Sequence, residues 1–241
     1  MDLVVVTGAS KGLGLAICQR LLNEKYRVVG IARSKTDEFK ALEDANNGNI
    51  FYVQYDFNNT KDIHELVKSI TKEYGHIYGL INNAALGHDG VLSTMHESQI
   101  GELIRVNVEA PILITKYVSR SMLMKLRGRI INISSIIAST GFNGLSVYGA
   151  TKASLNGFTK SLARELGRAK ITVNTVAPGY METAMTSGLQ GGKLESIKRR
   201  SPLGDLATVE DVAGAIAYLL SNDAKNITGT TVTIDAGRTA W

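Results

Sequence analysis

Short apolar runs rich in valine and isoleucine recur along the chain at 3–7, 27–32, 51–55, 78–82, 129–134, 171–177 and 230–235. Most are continuous rather than alternating, the pattern of strands covered on both faces. Between them, apolar positions return with a helical period, most clearly over 13–25, 60–74, 97–126, 147–167 and 209–220. Two spacings of the capping-box kind, Thr94 to Glu97 and Thr208 to Asp211, mark helix starts, and Gly167 falls where a helix takes its C-terminal cap. Strand–helix alternation through 241 residues predicts one α/β domain, 1–241, with a doubly wound parallel sheet of about seven strands and helices on both faces. The least regular stretch, 187–204, carries Gly188, Gly191 and Gly192 and the run Lys198-Arg199-Arg200; it reads as a substrate-loop insertion near 184–205.

Composition narrows the class. Glycine supplies 24 residues and proline 3, which fits tight turns and close packing rather than disorder. A single cysteine, Cys18, excludes an internal disulfide and a multi-cysteine metal site and fits a reducing compartment. No apolar run approaches the ~18 residues of a membrane span. Met1-Asp2-Leu3-Val4 leads straight into a strand pattern without a basic region, so a cytoplasmic protein with no membrane contact is expected. The net charge of +5 is scattered, and without a basic stripe no nucleic-acid partner is expected. His64, His76, His88 and His96 show no ligand-like spacing, so no metal is expected.

Candidate chemistry begins at the first turn. Thr7-Gly8-Ala9-Ser10-Lys11-Gly12-Leu13-Gly14 lies between the first strand and the first helix. Gly8 can make the tight turn, Gly12 lets a pyrophosphate approach the backbone, and Gly14 lets helix and strand pack closely. The helix N-terminus then offers unpaired N–H groups to phosphates. At the end of the second strand an acid would bind the ribose hydroxyls of NAD; this chain has Arg33, with Asp37 and Glu38 further into the loop. Arg33 and Lys11 are placed to hold a 2′-phosphate, which favours NADP(H).

Tyr148 and Lys152 stand at i and i+4 on one helix face. A nearby cation lowers a phenol's pKa from its ordinary ~10, bringing it within reach of proton transfer near neutrality. Ser135 follows a strand end, on the side of a parallel sheet where ligands bind, and its hydroxyl can hold a substrate carbonyl. Pro111 falls inside the 97–126 helical pattern and has no N–H for the carbonyl of Asn107, freeing that oxygen to hold a water.

Together these elements resemble the short-chain dehydrogenase/reductase family in its shorter subtype, over essentially the whole chain. The resemblance rests on the Gly8-Gly12-Gly14 turn, Asp56, Asn82-Asn83-Ala84, Asn107, Ser135, the Tyr148/Lys152 pair and Pro178-Gly179. It implies a Rossmann fold in which Tyr148 is the acid/base, Ser135 positions the substrate oxygen, Lys152 holds the nicotinamide ribose, and Asn107 carries a water linking Lys152 to bulk solvent. The cofactor contacts it implies run over Gly8, Ser10, Lys11, Gly12, Leu13, Gly14, Arg33, Asp56, Phe57, Asn82, Ala84, Tyr148, Lys152, Pro178, Gly179 and Thr183. Asp56 would meet the adenine amine, and Pro178, Gly179 and Thr183 would bracket the nicotinamide amide. Ala85 departs from the family, which usually has glycine there.

Within the family, segments such as Gly128-Arg-Ile-Ile131 and Ile171-Thr-Val-Asn174 are most similar to the 3-oxoacyl-acyl-carrier-protein reductases of fatty-acid biosynthesis. That likeness implies NADPH-dependent reduction of a 3-oxoacyl thioester and a homotetramer built on long helices. An acidic carrier protein would dock on a basic rim of Lys125, Arg127, Arg168, Lys170 and Lys198 to Arg200. Leu126 and Ala169 stand where the carrier-docking arginines are expected. Alternatives are the same chemistry on a small ketone, sugar, steroid or secondary metabolite, and a non-catalytic nucleotide-sensing protein. The expected walls of the substrate pocket are 86–96, 136–145 and 180–200.

Overall fold

Leu3–Thr7 form β1, the first strand of a parallel sheet in the computed structural model, which describes residues 1–181 and 192–240. The other strands are β2 (Arg27–Ala32), β3 (Ile50–Gln54), β4 (Ile77–Asn82), β5 (Gly128–Ile133), β6 (Ile171–Pro178) and β7 (Thr231–Ile234). All seven pair in parallel in the order β3-β2-β1-β4-β5-β6-β7. The strands lie within a residue or two of the expected runs. Their continuous apolar character follows from the helices that cover both faces.

One face is covered by α1 (Gly12–Asn23), α2 (Asp37–Ala45) and α9 (Val209–Leu220), and Ile17, Leu21, Phe39, Val212 and Ile216 pack there against Val4, Val28 and Ile131. The other is covered by α3 (Ile63–Tyr74), α5 (Ala110–Lys125) and α7 (Ser146–Leu166), with Ile63, Ile70, Ile114, Val118 and Leu162 against Val5, Leu80 and Ile130. The remaining helices are α4 (Glu97–Ile104), the single turn α6 (Ile137–Thr140) and α8 (Gly192–Arg199). Among the described residues, no helix is long and apolar enough to cross a membrane. The strand order reverses between β1 and β4, which opens a crevice beyond their C-terminal ends, where such sheets bind ligands.

Several local expectations change. Asp37 and Glu38 are not loop residues but open α2, whose N-cap Thr36 accepts a hydrogen bond from the N–H of Phe39 at 3.2 Å. Thr94 caps no helix: it ends a 3-10 turn, its hydroxyl bonds back to the Val91 carbonyl at 3.1 Å, and α4 starts after His96. The second box is formed, with reciprocal Thr208–Asp211 bonds of 2.8 and 3.1 Å. Gly167 stays right-handed at the end of α7, and the chain turns into the left-handed region three residues later, at Lys170.

The helix expected over 97–126 is broken by a π turn at Arg105–Glu109, between α4 and α5, where the N–H of Ala110 reaches back five residues to Arg105. Pro111 follows directly. A missing donor forces a break in the ladder, and the widened turn accommodates it. Residues 184–191 of the expected loop insertion lie outside the described residues; part of the remainder forms α8.

Candidate active site

A cavity of about 960 Å³ runs along the C-terminal ends of the strands. Its first wall is the turn between β1 and α1. Gly8 has φ +67°, and a side chain there would meet the Ala84 backbone at 2.9 Å; at Gly14 a Cβ would lie 2.0 Å from the Gly8 carbonyl. Neither position admits a side chain. Gly12, by contrast, faces open space. Lys11 at the N-cap of α1 makes no side-chain cap, so the first N–H groups of a 12-residue helix point at the crevice without a partner of that kind. An open glycine, uncapped helix donors and two nearby cations fit the pyrophosphate of a dinucleotide.

Asn83 locks this turn in place, and sequence reasoning gave it no role. Its amide donates to the carbonyls of Thr7 (2.8 Å) and Gly8 (3.1 Å), while Thr7 Oγ1 accepts from the N–H groups of Asn83 (3.0 Å) and Ala84 (2.9 Å). Asn82 points the other way. It is buried under the sheet, donating to Thr115 Oγ1 at 2.9 Å and Asn132 Oδ1 at 2.8 Å, and it is not on the cavity wall. Ser10, Leu13, Arg33, Asp56, Phe57, Ala84, Pro178 and Gly179 all line the cavity. Thr183 lies outside the described residues.

Beyond β5, Ser135, Tyr148 and Lys152 converge on the same cavity. The Ser135 hydroxyl acts on the Tyr148 phenol, favouring its ionised form, and accepts from the N–H of Ile137 at 3.3 Å. The Lys152 ammonium lies 5.8 Å from the Tyr148 ring centre and donates to the Ile133 carbonyl at 2.8 Å. Ser134 closes the clamp from the other side, donating to the Lys152 carbonyl at 2.8 Å. The end of β5 and the first turns of α7 are thus held by reciprocal bonds.

Asn107 acts from below. Buried in the π turn, its side chain accepts from the N–H of Leu86 (2.8 Å) and donates to the Leu86 carbonyl (2.9 Å) and to Thr151 Oγ1 (3.2 Å). Thr151 in turn donates to the Tyr148 carbonyl at 2.7 Å. Asn107 therefore ties the loop after β4 to the turn that carries Tyr148, without lining the cavity itself.

The electrostatics differ from the expectation of a phenol made more acidic by Lys152. Burial pushes the Tyr148 phenol up to about 12; the Asp89 carboxylate adds to the rise and the Ser135 hydroxyl opposes it. Burial also pulls the Lys152 ammonium down to about 8. Two groups taken from water together each lose their charged form more readily, and the helical spacing alone carries no information about that burial. Of the expected walls, residues 86–89, 136, 137, 142, 143, 145, 180 and 181 reach the cavity.

A family model described as enoyl-(acyl carrier protein) reductase matches residues 8–239. The chain is 37% identical over 238 residues to the 3-oxoacyl-[acyl-carrier-protein] reductase FabG of Haemophilus influenzae, covering 98% of this chain and 97% of the relative. Against its Escherichia coli counterpart the identity is 36% over 235 residues, covering 98% and 96%. Nodulation protein G of a Rhizobium species is 34% identical over 233 residues, covering 97% and 95%. Among solved structures, ElxO with NADP bound matches with a TM-score of 0.91 at 29% identity, covering 100% of this chain and 99% of that one. A double mutant of a Serratia marcescens short-chain dehydrogenase/reductase matches with a TM-score of 0.90 at 28% identity, covering 99% and 98%.

Proposed function

Because this chain belongs to the short-chain dehydrogenase/reductase family of oxidoreductases, we propose that it uses NADPH to reduce the keto group of a 3-oxoacyl thioester to a secondary alcohol. The observation that carries this reading is that the hydroxyls of Ser135 and Tyr148 share the wall of a cavity that also contains the glycine turn. The substrate oxygen accepts from both hydroxyls. Bound nicotinamide supplies the hydride. Tyr148, kept protonated at neutral pH by burial, gives its proton to the oxygen as negative charge develops there. Lys152 is the cation beside the phenol and the holder of the ribose hydroxyls. Asn107, through the backbone carbonyl to which Pro111 offers no N–H, holds the water that returns a proton toward Lys152.

NADP rather than NAD is supported by Arg33, which has no ion-pair partner among the described residues, and by Lys11 at the N-cap of α1. The nearest acids, Asp37 and Glu38, are turned to use at the start of α2, where backbone and Thr36 hydrogen bonds hold the Glu38 carboxyl low. Gly8, Ser10, Gly12, Leu13, Gly14, Asp56, Phe57, Ala84, Pro178 and Gly179 complete the cofactor wall. The acyl-carrier substrate is supported by the names of the 36–37% identical relatives. Of the basic rim, Arg127 is committed elsewhere, in a two-pronged pair with Asp2 (3.0 and 2.7 Å) over the Tyr78 ring, and Lys198 lies 3.8 Å from Asp205, which leaves Lys125, Arg168, Lys170, Arg199 and Arg200 to meet a carrier. Exposed Leu92 and Ile104 beside α7, with Ile112 exposed on α5, support pairing of copies, and light scattering of the purified protein tests the homotetramer.

The test of the substrate is an NADPH-oxidation screen of acetoacetyl thioesters against 2-enoyl thioesters, simple ketones, sugars and steroids. Preference for the 3-oxoacyl thioester is expected. Preference for an enoyl thioester or a non-thioester contradicts the reading.

A further inference from the structure

Among the described residues, two carboxylates line the cavity, Asp56 after β3 and Asp89 in the loop after β4. Asp89 belongs to the substrate side: its charge acts on both Tyr148 and Tyr180. The side chain forms no hydrogen bond or ion pair with another described residue, so its charge is not spent on the protein.

The backbone that carries it is nevertheless fixed. Asn107 grips Leu86 through two hydrogen bonds, His88 Nε2 sits 2.9 Å from Glu102 Oε2, and the N–H of Gly90 donates to the Gly144 carbonyl at 2.9 Å. Anchors at 86, 88 and 90 hold the exposed carboxylate of Asp89 at the cavity. The facing wall is uncharged, made of Phe142, whose ring meets Tyr180 edge-on at 6.3 Å, and of Asn143. Two cations act on that side, Lys152 at 5.8 Å from the Tyr148 ring centre and Arg238 through its effect on Tyr180.

We propose that Asp89 is a specificity determinant that turns away 3-oxo acids as free carboxylates and admits their neutral thioesters. This rests on the carbonyl reduction at Tyr148 proposed above. In a 3-oxo acid a single methylene separates the carboxylate from the keto carbon. Once the keto oxygen sits between Ser135 and Tyr148, the acid's charge lies inside the cavity that Asp89 lines. A thioester in the same pose is neutral, and the amide N–H groups of a pantetheine-like arm can donate to the carboxylate.

The experiment compares kcat/KM with NADPH for acetoacetyl-N-acetylcysteamine and for acetoacetate, in the wild type, Asp89→Asn and Asp89→Lys. Asp89 is exposed and unpaired, so both variants are expected to fold. The thioester-to-acid ratio is expected to fall about fivefold in Asp89→Asn, the scale of a solvent-screened charge pair, and further in Asp89→Lys. The wild-type ratio is also expected to shrink as salt rises from about 0.01 M to about 0.5 M, a dependence that a steric or structural role does not produce. Thioester turnover with one constant ratio in all three proteins overturns the role of Asp89 alone. Absence of thioester turnover in all three overturns the substrate reading, and this inference with it.

Discussion

Replacing Lys152 with methionine is expected to stabilise the cofactor-free protein near neutral pH while abolishing turnover. Lys152 is 4% exposed, and burial lowers its ammonium from the ordinary 10.5 to about 8. At ~1.4 kcal/mol per pKa unit, keeping the charge inside costs the fold about 3 kcal/mol below pH 8. The folded-state value lies below the unfolded one, so between about 8 and 10.5 the unfolded chain binds the extra proton and wild-type stability rises with pH. Methionine keeps the stem and removes the charge, but it leaves the Ile133 carbonyl without its 2.8 Å donor, a loss of about 1–3 kcal/mol. A net gain of ~0–2 kcal/mol follows at pH 7.5. The pH dependence is the sharper signature: from about pH 7.5 to about 9.5 the advantage of Lys152→Met is expected to shrink by ~2 kcal/mol as the wild type sheds its proton. Urea unfolding followed by circular dichroism measures it, in a window below the titration of the tyrosines. A difference that stays constant across that window refutes a buried, charged Lys152.

Two further substitutions test the cofactor wall and the clamp beneath the site. Arg33→Ala is expected to lower the NADPH-to-NADH ratio of kcat/KM by about tenfold or more, the worth of a charge-assisted pair to phosphate; an unchanged ratio removes the basis for NADP. Asn107→Ala loses the bonds that hold Leu86 and Thr151. It is expected to cost about 2–3 kcal/mol in urea unfolding and to speed limited proteolysis in the loop after β4, whereas wild-type cleavage rates would deny the clamp.

The strands were legible because valine and isoleucine runs without alternation leave few other structures open, and the glycine turn because Gly8 and Gly14 stand where no side chain fits. Helix α2 was not legible: only Phe39 and Leu42 of its nine residues are buried, too few to set a period against Asp37, Glu38 and Asp44. Pro111 pointed correctly to a break at Asn107, yet the side-chain grip on Leu86 spans 21 residues and is a tertiary fact. Asn82 and Asn83 show a similar limit. Adjacent residues at a strand end face opposite ways, and the sequence does not say which one turns toward the crevice. The Tyr148/Lys152 spacing placed the two groups on one face, but the sign of the tyrosine shift came from burial, which depends on what α7 packs against. Asp89 carried no local pattern and drew meaning only from the anchors around it.

The central claim, proton donation by Tyr148 to a carbonyl reduced with NADPH, is tested most directly by steady-state turnover of an acetoacetyl thioester by Tyr148→Phe, alongside NADPH binding by fluorescence. Phenylalanine keeps the ring and removes only the hydroxyl on the cavity wall beside Ser135. The account predicts turnover reduced at least about a hundredfold with NADPH affinity retained; turnover near the wild-type rate contradicts it.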